Sequence, residues 1–391
     1  MRLGGPDPRG PDMDEGGGED VSEEDTFRTA FHEVTASQGG THMADGGWLW
    51  LEGFGDVRKE YEAARSDVAM WDVSPLNKWD FRGPDVRRTV QHIFSNDAVN
   101  LEVGQVRYGA FLDEDGLMVD DGTVYNTGRE NHCWVMTNGK DHQEYFGEML
   151  KRFDVEFEWI ASKMPHVGVI GPRSREVLQS LTDADISREA LRYFRFIPEP
   201  VEVGGVPVYL SRTAYGGELG FELFLIDPAN AATLWNAVVG AGVTPFGVEA
   251  IEILRVEAGL IVTDYDYEAH QRSPYDFNLE RLVALDAPLE FVGKAKLAET
   301  AKAPPNRFVT LRYEADELPE YGAAVLAGGE EVGTLTSPTD SPRFGKIGMA
   351  IVRADLAAVG SRVEVALGDA TVPATVDVLP IYDTKKERPR S

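Results

Sequence analysis

Cysteine is nearly absent from this chain of 391 residues, with Cys133 its only example. A single thiol excludes an internal disulfide framework and any zinc or iron-sulfur site built on several cysteines. It fits a reducing compartment, so a cytoplasmic location is expected. Long apolar runs are missing too: no stretch approaches the ~20 residues that a membrane span needs, and the first residues lack the apolar core of a secretory signal. Cations are scarce. Lys and Arg number 38 against 66 Asp and Glu, and the net charge of -28 repels phosphate backbones and anionic lipid, which argues against nucleic-acid and membrane partners. Arginine (27) far outnumbers lysine (11), which fits either a salt-rich habitat or a GC-rich genome. The common catalytic devices are absent as well. No phosphate-binding G-x-x-x-x-G-K-[ST], no G-x-S-x-G and no H-E-x-x-H occurs, and the seven histidines, His132 and His166 among them, are scattered and receive no role.

What is present is ordinary globular material, 42% hydrophobic and 27% charged, enough for two or three domains. Residues 1–25 are rich in Gly, Pro, Asp and Glu and read as a disordered acidic tail. After Phe27 one local design occurs twice. The strand Trp79 to Arg82 runs into Gly83-Pro84, followed by Val86, Val90, Ile93 and Phe94 at helical spacing. The strand Val167 to Ile170 runs into Gly171-Pro172, followed by Val177, Leu178 and Leu181. Two related α+β units are expected, each with helices on a mostly antiparallel sheet. Asp141 is expected to cap a helix carrying Tyr145, Phe146, Met149 and Leu150. Asp227-Pro228 should open another, burying Leu234, Trp235 and Val238 and stopping at Gly240. Beyond Ala303-Pro304-Pro305 the texture becomes strand-rich, with a Gly328-Gly329 turn, and ends in a basic tail with Lys385, Lys386, Arg388 and Arg390.

Three segments carry candidate chemistry. Tyr108 to Leu112 reads as a strand, Asp113 to Gly116 as a turn, and Leu117 to Val124 as the returning strand, which contains Asp120 and Asp121. Neighbouring strand residues face opposite sides, so one of these carboxylates should point inward unless the Asp-Asp-Gly is an exposed turn. In the second segment Tyr215, Gly216 and Gly217 connect two strands, the latter with Glu222 alternating between Phe221 and Leu223. A buried carboxylate there needs donors, and a ligand with two adjacent N–H groups, as on a pterin or guanine edge, would satisfy both oxygens. An exposed strand face is the alternative. The third segment, Pro245 to Gly259, reads as a helix burying Ile251, Leu254 and Ala258, with Glu252 and Arg255 spaced to pair.

Taken together these segments resemble the glycine-cleavage T-protein (aminomethyltransferase) superfamily of tetrahydrofolate-dependent one-carbon transferases. The landmarks stand in family order: Met70 to Ser74; Gly83-Pro84-Asp85; Tyr108 thirteen residues before Asp121; Val169 to Pro172; Tyr215 to Glu222; Leu254 to Leu260; Phe291 to Lys294; and Gly333 to Pro342. The resemblance implies an α+β three-domain cloverleaf around a central folate channel, with a C-terminal β-barrel or jelly roll. Its division would be 26–70 plus 160–245 for one α+β domain, 71–159 plus 246–303 for the second, and 304–391 for the β domain. By the same carry-over Asp121 would be the catalytic acid or base with Tyr108 lining the site. Glu222 would hold the pterin of tetrahydrofolate, Tyr215 would contribute to the cofactor site, and Arg255 would order the site or meet the folate tail. A folate nitrogen is itself the nucleophile, so no Cys or Ser is required of the protein, only positioning and proton management.

The sequence departs from the family at Pro75-Leu76 in place of His-Met, at Val262-Thr263-Asp264 in place of Leu-Tyr-Gly, and at Gly116-Leu117 in place of Gly-Gly. These positions are where the one-carbon donor is expected. They favour a small methylated compound, hence a demethylase, over aminomethyl-lipoyl H-protein. True glycine-cleavage aminomethyl transfer and non-catalytic folate binding are the two alternatives.

Overall fold

The computed structural model describes residues 26–138 and 142–391, so the expected acidic tail and the Asp141 cap lie outside the described residues. The chain forms α+β units followed by a closed barrel, as expected. A six-stranded sheet has the order Val201–Val203, Val206–Ser211, Gly220–Leu225, His166–Ile170, Ala69–Asp72, Thr244–Pro245. All its neighbours are antiparallel except the last pair. A five-stranded antiparallel sheet runs Val106–Leu112, Met118–Tyr125, His132–Thr137, Asn77–Arg82, Glu156–Trp159. Phe27–Arg28, Trp48–Gly53 and Thr41–Asp45 make a small third sheet, and six strands between Asn306 and Asp377 close into the barrel. Among the described residues no helix is long and apolar enough to cross a membrane.

The repeated Gly-Pro has a shared geometric cause. Gly83 (φ 139°) and Gly171 (φ 125°) both adopt a backbone that L side chains rarely enter. A Cβ at either would lie 2.4 Å from a backbone oxygen of the crossing chain, that of Asp154 or Asp67 respectively. Each turn therefore presses against a neighbouring strand end, which only glycine allows. Each then delivers a helix, Val86–Ile93 or Ser174–Gln179, onto its sheet. The prolines stand just ahead of the caps Asp85 and Arg173 rather than inside the helices.

Behind the five-stranded sheet, Trp79, Phe81, Phe111 and Phe146 form one core. Behind the six-stranded sheet, Phe31, Val167, Leu223 and Trp235 belong to another. Asp227 accepts from Ala229 N as a cap, through a short 3-10 turn that leads into helix Ala231–Gly240. Gly240 is the last helical residue and not the stop, because the left-handed turn that ends the helix falls on Gly242 (φ 96°).

Helix Val248–Ala258 lies between these units and the barrel, and two buried arginines tie it in place. Arg65, on helix Val57–Ser66, has no exposed side-chain surface. It pairs with Glu218 at 3.0 Å and Glu257 at 2.8 Å and donates to the carbonyls of Gly216 and Leu254. Glu257 also receives Tyr61 and Ser341 of the barrel, and Glu218 receives Tyr382 of the C-terminal segment. Removing one member of a buried, fully hydrogen-bonded pair strands the opposite charge, at a cost of about 3–5 kcal/mol. Arg65→Met is expected to lower unfolding stability by that order in urea titration, and an unchanged midpoint would show that the network is not holding the units together.

Candidate active site

The two large sheets, helix Val248–Ala258, the segment 260–267 and the C-terminal segment enclose a cavity of about 830 Å³. That is within the ~300–1,000 Å³ typical of small-molecule sites. Tyr108, Asp121, Tyr215, Glu222 and Arg255, the five residues singled out from sequence, all line it.

Asp120 and Asp121 lie inside strand Met118–Tyr125, not in an exposed turn; one was expected to point inward, and both are buried, at 0% and 6% exposure. One face of the strand is covered by Asn138 and His142, and the other meets the cavity. Gly122 permits this close packing, since a Cβ there would stand 2.0 Å from the Met136 carbonyl oxygen. Asp120 is saturated by Asn138 N (2.9 Å), Asn138 Nδ2 (2.7 Å), the ring of His142 (2.7 Å) and Asp121 N (2.8 Å).

Asp121 meets the cavity with different company. Tyr267 donates to its Oδ1 at 2.6 Å and Tyr108 to its Oδ2 at 2.8 Å. Burial, reinforced by the charge of Asp120, pushes its carboxyl up to about 7, against the two tyrosine bonds that favour the ionised form. A carboxyl poised near neutrality can take or give a proton at working pH.

Glu222 stands part-buried on the opposite wall. Its Oε2 receives Thr213 and, at 3.4 Å, Tyr125, while Oε1 has no partner among the described residues. Burial raises its carboxyl above the ordinary value, opposed by Thr213, Lys78 and Tyr125. Tyr215 donates to the carbonyls of Ile261 (3.2 Å) and Leu260 (3.4 Å) and so fixes the segment that leads to Tyr267.

Arg255 pairs with Glu252 through two nitrogens, as its spacing suggested, and also with Asp266 at 2.7 Å, Ser337 at 2.7 Å and the Leu260 carbonyl at 3.4 Å. Its donors are spent on protein atoms. All five of its N–H groups have acceptors within the protein.

Sequence reasoning missed Tyr267, Asn138, Lys78 and His166. Tyr267 has no fixed spacing from Asp121. Lys78 had a signal, as a cation alternating with Trp79 and Phe81 in a strand that turns out buried up to its last residue, Arg82. His132 does have a structural partner, Asp80 at 2.6 Å, whereas His166 lines the cavity.

Two family models match the chain: the GCVT N-terminal domain over residues 31–287 and the glycine cleavage T-protein C-terminal barrel domain over residues 306–383. The chain belongs to the glycine cleavage T-protein family. It is therefore a T-protein-like, folate-dependent transferase. An aminomethyltransferase of Geobacillus kaustophilus is 35% identical over 92% of this chain and 99% of its own length. The trimethylamine-oxide aldolase of Ruegeria pomeroyi is 35% identical over 85% of this chain but only 44% of its own length. The crystal structure of the glycine cleavage system aminomethyltransferase T from Bartonella henselae shares the fold, with a TM-score of 0.81 at 23% identity over 92% of this chain and 98% of that one.

A carboxyl raised by burial binds a proton in the folded state that the unfolded chain has already released. Between the ordinary aspartate value and about 7, stability therefore falls as pH rises. Asp121→Asn is expected to be more stable than the parent at about pH 8, with the difference vanishing near pH 4, in parallel thermal melts. Tyr267→Phe removes a donor to the ionised form, so the Asp121 carboxyl band followed by infrared titration should move to still higher pH.

Proposed function

We propose that this enzyme moves a methyl group from a small methylated donor to tetrahydrofolate, with Asp121 managing the proton and Glu222 anchoring the pterin. The observation that carries the reading is the pairing, in one cavity, of a carboxyl poised near neutrality with a second carboxylate whose Oε1 is open. A pterin edge carries adjacent N–H groups that suit Glu222, and the cavity is large enough for the ring with its aromatic arm. Tetrahydrofolate, when bound, supplies the amine nitrogen that accepts the one-carbon unit.

The protein's share is orientation and proton transfer. The Tyr108 and Tyr267 hydroxyls hold the Asp121 carboxylate from both oxygens, with Asn138 Nδ2 also reaching Oδ1 at 3.3 Å, which fixes its direction and leaves a lone pair on Oδ2 for a proton. Arg255, through Asp266 and the Leu260 carbonyl, holds the segment 260–267 on which Tyr267 is carried. A ligand that fills the cavity displaces water from it, which strengthens every charge interaction inside.

The preference for a small donor rests on the departures from the family pattern. Leu76 and Val262, two of the replaced residues, line the cavity, and Asp264 keeps a left-handed backbone (φ 70°) in place of the family's glycine. One relative named for a methylated small molecule, the trimethylamine-oxide aldolase, is consistent with it. A second reading, aminomethyl transfer from lipoyl H-protein, is favoured by the aminomethyltransferases matched over nearly their full length. Asp121, placed for proton transfer, speaks against a purely folate-binding role.

Single-turnover incubation with tetrahydrofolate and a panel of methylated amines, sulfur compounds and ethers, with the folate products separated by chromatography, is expected to give 5-methyl-tetrahydrofolate. 5,10-Methylene-tetrahydrofolate formed only with aminomethyl-lipoyl H-protein would establish the second reading, and no folate product with any donor would overturn both. Asp121→Asn should lower turnover by about 10²- to 10⁴-fold while leaving folate affinity nearly intact.

A further inference from the structure

Two buried polar groups on the cavity wall have no part in the mechanism above. Lys78, on strand Asn77–Arg82, has no solvent exposure, and its ammonium donates to the carbonyls of Ser74 at 3.0 Å and Leu76 at 2.7 Å. An ammonium has three N–H groups, and among the described residues no acceptor takes the third. His166, opening strand His166–Ile170, is 2% exposed. Its ring stacks on Phe224 at 4.5 Å, and its Nδ1 has no partner. Burial, with the nearby charge of Lys78, holds this imidazole well below its ordinary value and hence neutral. A buried polar atom without a partner, such as His166 Nδ1, is rare in folded proteins and calls for a reason, and Lys78 is satisfied only in part. Both of these belong to the same cavity.

They also belong to the neighbourhood of Glu222. Strand register sets Gly168 opposite Glu222 and His166 opposite Phe224, which puts His166 and Glu222 on one face of the sheet, with Gly168 between them and the Trp71 indole packed over it. The titratable groups around Lys78 are Asp72 from strand Ala69–Asp72, Glu222 from strand Gly220–Leu225, and His166. Asp72 is engaged by Thr29 at 2.5 Å and by Ser74 N at 2.9 Å. Glu222 retains its open oxygen. The wall thus offers an acceptor on Glu222 and a spare cationic donor on Lys78, close enough that each shifts the titration of the other.

A pterin edge carries an amino group, a ring N–H and a carbonyl oxygen in succession, so two donors are followed by one acceptor. A carboxylate satisfies the first two and would leave the carbonyl buried and unpaired. We propose that Lys78 is a cofactor-binding residue that donates its third N–H to this carbonyl oxygen, so that Glu222 and Lys78 read the whole edge together. The inference rests on the reading of Glu222 given under the proposed function. The same ammonium opposes protonation of Glu222 and keeps it an acceptor.

The test is calorimetric titration of the full chain with 5-formyl-tetrahydrofolate, alongside infrared spectra of the same ligand labelled with ¹³C at its ring carbonyl. Lys78→Met, a swap of similar volume that removes a buried charge, is expected to weaken binding by about tenfold to a hundredfold. It should also move the bound carbonyl band to higher wavenumber, which loss of a merely structural clamp would not do. Burial brings the Lys78 ammonium down to about 7, against the pull of Asp72 and Glu222. Its charge is present below that value and lost above it, so wild-type affinity should fall as pH rises through about 7, and Lys78→Met should lack this fall. An unchanged Kd and carbonyl band in Lys78→Met would overturn the proposal. Should that variant not fold, a wild-type band and Kd that stay constant across the same pH series would overturn it equally. Glu222→Gln separates the two ideas. If it binds folate as the parent does, the Glu222 reading fails; if it binds weakly while Lys78→Met binds normally, only the Lys78 assignment fails.

Discussion

A charge taken out of water must be answered by another charge or by hydrogen bonds, and this molecule is organised around places where that rule is met or left open. Arg65, packed against helix Val248–Ala258, and Arg255, within it, have every donor engaged, and their acceptors come from separate units: a hairpin connection, the helix itself, the segment 260–267 and the barrel, while Tyr382 of the C-terminal segment lies under the Arg65 guanidinium. Because a partly satisfied buried network costs more than an apolar one, these units are held to one mutual arrangement. The cavity between them inherits its shape from that arrangement.

Within the cavity the same rule is deliberately incomplete. Asp120 is saturated and belongs to the scaffold, whereas its neighbour Asp121 has two tyrosine donors and the repulsion of Asp120 to contend with. The pair shows how one step along a strand separates a fully hydrogen-bonded carboxylate from one that faces the cavity, since the two faces of the strand meet different surroundings. The energy that the fold forgoes in burying Asp121 is what places its proton equilibrium near neutrality.

Much of this was legible in the sequence, for identifiable reasons. The Gly-Pro turns were visible because only glycine tolerates their backbone and close approach, and period-two alternation put Asp121 and Glu222 on strands. The i, i+3 spacing of Glu252 and Arg255 gave their pairing. Other features were not legible because they depend on what covers a surface. The burial of Asp120 follows from packing on the second face of its strand. The partners of Lys78 are backbone carbonyls, which leave no mark in the residue types, and Tyr267 reaches Asp121 across a separation that no local periodicity encodes. Gly240 misled because a helix can run onto one glycine and stop at the next.

The interleaving of strands along the chain has a consequence for assembly. Every strand of the five-stranded sheet lies between Asn77 and Trp159, so that sheet can close from one continuous stretch. The six-stranded sheet needs Ala69–Asp72 on one side of that stretch and Thr244–Pro245 well beyond it. Loop closure over such a distance is entropically slower than local pairing. During synthesis, therefore, the inner sheet can be complete while the outer one still waits for its edge, and Asp121 is in position on its strand before the sheet that carries Glu222 is finished.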